Sequence, residues 1–416
     1  MHTRFTLWAI VFVALFGASC STPTTATPTL TLASTLIATP TQTPMPTPTI
    51  MPNTLVLANG TLIDGTGAPP ISNAVIVMRD EKIISVGKRD QMSVPVGARV
   101  IDVQGATILP GFINAHVHDA YSARNLEAWA QAGVTTVRDE GILGGSSLSQ
   151  LIEKRKTEWN NPQFARLVTT GWMMTVLGGY GGLYVSTSAE AQQKANEELD
   201  QGADLLKLSM EDGYGSRNDL PLLSLEQIKV IVDVGHARGK FVSAHITEAK
   251  YLQIVVDAGV DDAAHMPWDS VSDDVMQRMI AKKIYVVPTL TVMEAYGALA
   301  GSQFNLRRFV AMGGQVALGN DYTNIPQNNF PHFELGMPMH EIRRMADANM
   351  TPMQIIVAAT KNAAQVCHLE KELGTLQVGY IADLLIVDGD PLQDLNALAD
   401  VRMVIHNGAI IRDENQ

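Results

Sequence analysis

The chain has 416 residues, 46% of them hydrophobic and 17% charged, which exceeds one typical domain and is ample for a large buried core. A formal net charge of −12 with no basic tract argues against a nucleic-acid partner bound through its phosphates. Two cysteines, Cys20 and Cys367, leave no disulfide framework, so any metal site must be built from histidine and oxygen donors.

Residues 1–20 read as a signal peptide: Arg4 precedes an apolar run at 5–16 that is too short to span a bilayer, and Gly17-Ala18-Ser19-Cys20 closes it. That ending resembles the lipobox of bacterial lipoproteins, with Gly17 where an aliphatic residue is usual. The resemblance implies lipidation of Cys20 and an exported, membrane-anchored protein, with simple secretion as the alternative. Residues 21–52 are almost entirely Thr, Pro, Ser and Ala, cannot assemble a core, and read as a disordered linker.

From residue 53 the pattern changes to short β-type runs at 55–57, 74–78, 83–86 and 100–103, separated by Gly, Pro and Asp turns. A similar set returns at 382–387, 403–407 and 410–411. Residues 53–109 and 369–416 are therefore expected to form one small β-sandwich from both chain ends. Between them, over 110–368, strand-like runs alternate with helical stretches, the signature of βαβ units. Eight such runs occur, at 107–118, 134–139, 166–170, 205–210, 241–245, 262–265, 284–288 and 316–321. Helices are predicted at 225–238, 249–258 and 272–282 from apolar residues at three- and four-residue spacing. The fold class expected is α/β, a (β/α)8 TIM barrel with its chemistry at the C-terminal strand ends; a doubly wound open sheet is the alternative.

Chemistry-bearing residues gather at those strand ends. His116 and His118 stand two apart on a strand, so they point the same way and can share one metal ion, although two polar residues at a strand edge would look the same. Lys207, His245, His265 and Asp321 each close a further run. A lysine closing an apolar strand is expensive to bury unless its charge is paired or removed, and carbamylation would remove it. Any one of these residues has a structural reading; polar closures on five strands favour a site.

The segments PGFINAHVH (110–118), GVTTVRDEG (133–141), GADLLKLS (202–209), FVSAHITEA (241–249), DDAAHMP (261–267), ALGNDY (317–322) and the tail from residue 358 to 392 resemble the imidazolonepropionase-like and Xaa-Pro-dipeptidase-like branch of the amidohydrolase superfamily. The likeness spans about 53–412. It implies a divalent metal centre, usually two zinc ions, with manganese or cobalt as substitutes. His116, His118 and Asp321 would hold the first ion, a carbamylated Lys207 would bridge, and His245 and His265 would hold the second. Asp321 would also be the general acid and base. The chain departs from the family pattern at Asn320, Ala264, Met266 and Tyr180, which touches the substrate pocket rather than the ligands.

The function expected is hydrolysis of C–N bonds in dipeptides, cyclic amides or N-acyl amino acids. A mononuclear deaminase or ring hydrolase with unmodified Lys207, and a non-catalytic ligand-binding lipoprotein, are the alternatives. Homo-oligomerisation is left open. Tyr180, Tyr322 and Trp172 lie in strand-end loops and are candidates to line the pocket, with packing as the other reading. His236, His332, His340 and His406 read as structural, with His332 and His340 the nearest to substrate because they follow the eighth run. Arg138 and Asp139 are expected to pair or pack together.

Overall fold

The computed structural model describes residues 53–144, 147–213, 219–324 and 332–414. The signal peptide, the linker and Cys20 lie outside these residues, and no described helix is long and apolar enough to cross a membrane.

Five strands open the described chain: β1 (Thr54–Leu62), β2 (Ile71–Arg79), β3 (Lys82–Lys88), β4 (Arg99–Asp102) and β5 (Thr107–Pro110). A parallel series follows, β6 (Phe112–Val117), β7 (Val134–Asp139), β8 (Arg166–Thr169), β9 (Met174–Thr175), β10 (Leu183–Tyr184), β11 (Leu206–Met210), β12 (Val242–Ile246), β13 (Asp262–Ala264) and β14 (Tyr285–Val287). Strands β15 (Leu384–Val387), β16 (Val401–His406) and β17 (Ala409–Asp413) end it. Both chain ends build one eight-stranded sheet in the order β17-β16-β15-β5-β1-β2-β3, with β4 beside β1. Apolar residues bury on both of its faces, Ile76, Ile108 and Ile386 in one cluster and Val56, Val75 and Val77 in another.

The run expected to be one strand at 107–118 is divided. Thr107–Pro110 pairs antiparallel with β15, while Phe112–Val117 pairs in parallel with β7. Gly111 sits at the break, where a Cβ would lie 2.3 Å from Thr135 Oγ1, so only a bare backbone passes there.

The parallel strands form a three-stranded sheet, β6-β7-β8, and a six-stranded one, β10-β9-β11-β12-β13-β14. Residues expected as an eighth strand at 316–321 make isolated parallel bridges instead, Val316 with Val286 and Tyr322 with Val117. At the end of this segment Asp321 adopts φ +57°, the left-handed region, where extended backbone stops. The segment still runs between β14 and β6, donating Ala317 N to Val286 O at 2.9 Å and accepting Ala115 N on Leu318 O at 2.7 Å. On the far side, Asp204 N donates to Thr169 O at 2.8 Å.

The helices between strands follow their sequence signals. Ser224 and Gln227 form a capping box at the start of Leu225–Ala237, Ser272 caps Asp273–Lys282 through the amide of Val275, and Gly259 ends Ala249–Ala258 in the left-handed conformation. Their apolar faces, including Ile228, Ile231, Leu252, Val255 and Met279, join the main core.

Candidate metal centre

Strand alternation places His116 and His118 on one side of β6, and the 315–322 segment brings Asp321 alongside them. Asp321 Oδ1 lies 3.0 Å from His116 Nε2 and 3.2 Å from His118 Nε2, and one ligand atom from each of the three residues lies within 4.8 Å of the others. Asp321 Oδ1 and His116 Nδ1 are nevertheless buried without a hydrogen-bond partner. Three donors converging on a point, with an unsatisfied carboxylate oxygen among them, is the arrangement a divalent cation completes.

Neighbouring groups fix the rings. His118 Nδ1 donates to Gly141 O at 2.9 Å, which aims Nε2 at the centre. The backbone of Asp321 is anchored by its N–H on His116 O at 2.9 Å. His265 Nδ1 contacts Thr289 Oγ1 and lies 4.0 Å from Asp321 Oδ2, while its Nε2 shares a hydrogen bond of 3.0 Å with His245 Nδ1. The His116 and His265 rings stack with centroids 5.0 Å apart. The four histidines and Asp321 thus lie side by side, with His116, His118 and Asp321 close enough to share one ion.

The electrostatics suit cation binding. Burial lowers the pKa of His116, and it holds His245 and His265 well below the usual imidazole range, keeping them neutral donors. Burial disfavours the Asp321 carboxylate, yet the facing imidazoles, His116 foremost and His118 after it, prevail and hold it well below the carboxylate range. Burial likewise opposes a charge on His118, but Asp321 outweighs it and raises His118 to about 9. In the metal-free chain this attraction therefore adds stability below the unfolded imidazole value and is lost as pH rises through about 9. Because His118 must shed a proton to offer Nε2, metal affinity is expected to climb as pH approaches 9. Equilibrium dialysis that found affinity flat from neutral pH to that value would contradict this.

Gly319 sets the approach of the Asp321 segment. A Cβ there would lie 2.4 Å from Val287 Cγ1 and 2.7 Å from His116 Cβ. Gly319→Ala is expected to destabilise the protein by about 1–3 kcal/mol through overpacking and to lower bound metal, measured by denaturant unfolding and elemental analysis. Full metal content in a destabilised variant would separate packing from the site.

A cavity of about 510 Å³ opens over these residues, lined also by Glu140, Lys207, Trp172, Tyr180, Tyr296 and Phe333. Tyr180 lines the cavity with its ring centroid 4.7 Å from that of His245. Tyr322 does not line the cavity: its ring packs edge-on against Trp129, centroids 5.4 Å apart, because it follows the left-handed Asp321 and turns into the core. His332 is also elsewhere, exposed and stacked on His340 at 4.1 Å, and His340 Nε2 bonds Glu294 Oε2 at 2.5 Å. His236 pairs with Asp261, and His406 Nδ1 donates to Pro162 O at 2.9 Å.

Arg138 does not pair with Asp139. Its guanidinium forks onto Asp262 at 2.8 and 3.1 Å and reaches Glu140 Oε1 at 2.8 Å through Nε, all fully buried. Asp139 instead accepts from the amides of Ala120 and Gly141, and burial pushes it up to about 7. Glu140 itself contacts Lys207 Nζ. Sequence reasoning missed Glu140, although the two-residue spacing that joined His116 to His118 also puts Arg138 and Glu140 on one side.

Comparisons with known proteins place the chain in a family. The family profile described as the amidohydrolase family matches residues 107–411. Ochratoxinase of Aspergillus niger is 25% identical over 85% of this chain and 85% of its own length. Imidazolonepropionase of Symbiobacterium thermophilum is 24% identical over 87% of this chain and 98% of its own. The crystal structure of a Xaa-Pro dipeptidase with methionine in its active site superposes with a TM-score of 0.74 at 22% identity, over 86% of this chain and 99% of that one.

Proposed function

The chain belongs to the amidohydrolase family, and on that premise we propose that it is a metal-dependent enzyme hydrolysing C–N bonds in small molecules. The observation that carries this is the meeting of His116, His118 and Asp321 around a buried carboxylate oxygen that has no hydrogen bond. These three residues would hold a divalent cation, zinc by the chemistry of two imidazoles and a carboxylate, and His245 and His265 would serve a second. A cation held there supplies Lewis acidity, bringing the pKa of a water from 15.7 towards about 7.

The chain's own groups do the rest. Asp321, with Oδ1 turned to the two imidazoles, has Oδ2 to accept the proton of the attacking water and return it to the leaving nitrogen. His118 stays oriented by Gly141 O, and the aromatic lining of Trp172, Tyr180 and Phe333 excludes bulk water from the carbonyl. Dipeptides, N-acyl amino acids and cyclic amides are the substrate classes proposed, in keeping with relatives named ochratoxinase, imidazolonepropionase and Xaa-Pro dipeptidase. The architecture proposed around the site is the (β/α)8 barrel, supported by the backbone links that flank both parallel sheets.

The test is a screen of the zinc-loaded full chain, alongside chelator-treated protein, against those three classes. Hydrolysis of one class that disappears on metal removal is the expected result; a fully metal-loaded chain inert towards every C–N substrate would overturn the proposal. Two readings of Lys207 bear on the centre. In one it is carbamylated and bridges two ions; in the other it is unmodified and the enzyme is a mononuclear ring hydrolase or deaminase. Ammonia release would identify a deaminase.

We propose further that Cys20 anchors the exported protein, supported by the residues that precede it. Wild-type cells grown with labelled palmitate are expected to label the protein, and Cys20→Ala cells are not; equal labelling would refute the anchor.

A further inference from the structure

Beside His116, His118, His245 and Asp321, the cavity is walled by aromatic rings that come from separate strand ends. Trp172 follows β8, Tyr180 stands between β9 and β10, Tyr184 ends β10, Tyr296 follows the helix Leu290–Ala295 beyond β14, and Phe333 follows the Asp321 segment. Tyr180, Tyr184 and Tyr296 remain 38%, 41% and 51% exposed, so three large rings are left partly in water around one cavity. Folding ordinarily gains by covering such surface, and rings withheld from the core to face a cleft mark a surface that a ligand covers.

The wall is held in place from behind. Glu198, buried on the helix Ser188–Gln201, accepts from Trp172 N at 2.8 Å. A Cβ on Gly171 would lie 2.1 Å from Glu198 Oε2, and one on Gly182 would lie 2.6 Å from Trp172 Cε3, so bare backbone admits the carboxyl group at one point and lies against the indole at the other. Met173 O accepts from Gly182 N and from Leu183 N, both at 3.0 Å, which ties the loop bearing Tyr180 to the segment bearing Trp172. Tyr180 in turn packs on His245, with ring planes inclined at 37°. A ring resting on this wall therefore meets faces already arranged beside the histidines, and little ordering is left to oppose its binding.

We propose that this wall selects substrates carrying an aromatic ring next to the scissile C–N bond, the ring lying against Trp172, Tyr180 and Tyr296 and the carbonyl facing His116, His118 and Asp321. Covering such a ring contributes its apolar area, and offset or edge-on contact with the wall adds to that. The cavity, about 510 Å³, is of the size that holds a small molecule of this kind. The inference rests on the metal-dependent hydrolysis of C–N bonds proposed above and narrows its substrate. It makes Trp172, Tyr180 and Tyr296 specificity-determining residues with no part in breaking the bond.

The experiment measures kcat/KM of the zinc-loaded full chain on matched sets whose members differ only in a benzyl, cyclohexylmethyl or methyl side chain: alanyl dipeptides of phenylalanine, cyclohexylalanine and alanine, the N-acetyl derivatives of the same amino acids, and the corresponding hydantoins. In the set that is hydrolysed, benzyl is expected to exceed methyl by about 10- to 100-fold, the worth of covering one large apolar side chain. Benzyl is expected to exceed cyclohexylmethyl by about 2- to 10-fold, the worth of aromatic contact beyond area. Tyr296→Leu, at a half-exposed position, is expected to shrink that second ratio at least about twofold, and Tyr296→Phe, which keeps the ring, to preserve it. A benzyl substrate no better than its methyl or cyclohexylmethyl partner, or a ratio that Tyr296→Leu and Trp172→Leu both leave unchanged, would overturn this inference while leaving the proposed function intact. A metal-loaded chain that hydrolyses no member of any set would overturn both. The wild-type ratios decide the matter even if the variants fail to fold.

Discussion

Asp321→Asn is expected to lower kcat/KM by about 10²- to 10⁴-fold, the usual contribution of a positioned general base. That loss corresponds to about 3–5 kcal/mol in the barrier at 1.36 kcal/mol per decade. Asparagine keeps an oxygen for the cation but cannot take a proton. The carboxyl of Asp321 is held well below the usual carboxylate range, so it is ionised at neutral pH. Steady-state kinetics are to be read together with metal content, so that a lost ligand is not mistaken for a lost base. A metal-loaded variant that turns over at the wild-type rate would remove Asp321 from proton transfer.

The second large effect is on stability. Arg138→Leu removes a fully buried guanidinium that forks onto Asp262, reaches Glu140, and donates through Nε to Ala115 O at 2.6 Å. Two carboxylates would be left in the interior with one fewer cation between them. Taking away one partner of a buried ion pair costs about 3–5 kcal/mol, far more than an exposed pair is worth, because the remaining charge stays unsolvated. Denaturant unfolding should show this, with Arg138→Lys intermediate, since an ammonium keeps the charge but not the fork. A loss below about 1 kcal/mol would mean that water reaches the cluster and that the pairing matters little.

The parts of the site legible in the sequence are those that depend on periodicity alone. His116 and His118 obey strand alternation, and His245 and His265 lie at or next to the C-terminal ends of short apolar strands, so the side that carries the chemistry could be read directly, whereas Lys207, expected to close its strand, is the second residue of β11. Glu140 obeyed the same rule but stood beside Asp139 in an Arg-Asp-Glu triplet, where adjacent opposite charges suggested the wrong partners. Strand neighbours point apart, so Arg138 meets Glu140 and, from a distant strand, Asp262. Tyr322 was misplaced for a different reason: nearness to Asp321 along the chain says nothing of direction once the intervening residue adopts a positive φ. Likewise His332 follows the eighth run but turns to His340 and Glu294, while its neighbour Phe333 meets the cavity. The terminal sheet was readable as strands from both ends; that β5 belongs to it and not to the first parallel strand was not, because the apolar run crosses Gly111 without a change in hydropathy.

The sheet that unites the two ends of the chain has a bearing on biogenesis. Arg402 Nη1 donates to Val103 O across 299 positions of sequence, and Thr107 Oγ1 to Gly389 O across 282. Strand β5 therefore waits for β15 until nearly the whole polypeptide has left the ribosome, and contacts of such span are slow to form. A nascent or prematurely terminated chain that stops short of β15 carries β5 with a bare hydrogen-bonding edge, a template for pairing with another molecule. Truncated products are expected to be found in inclusion bodies or bound to chaperones, whatever the integrity of their strand-end histidines.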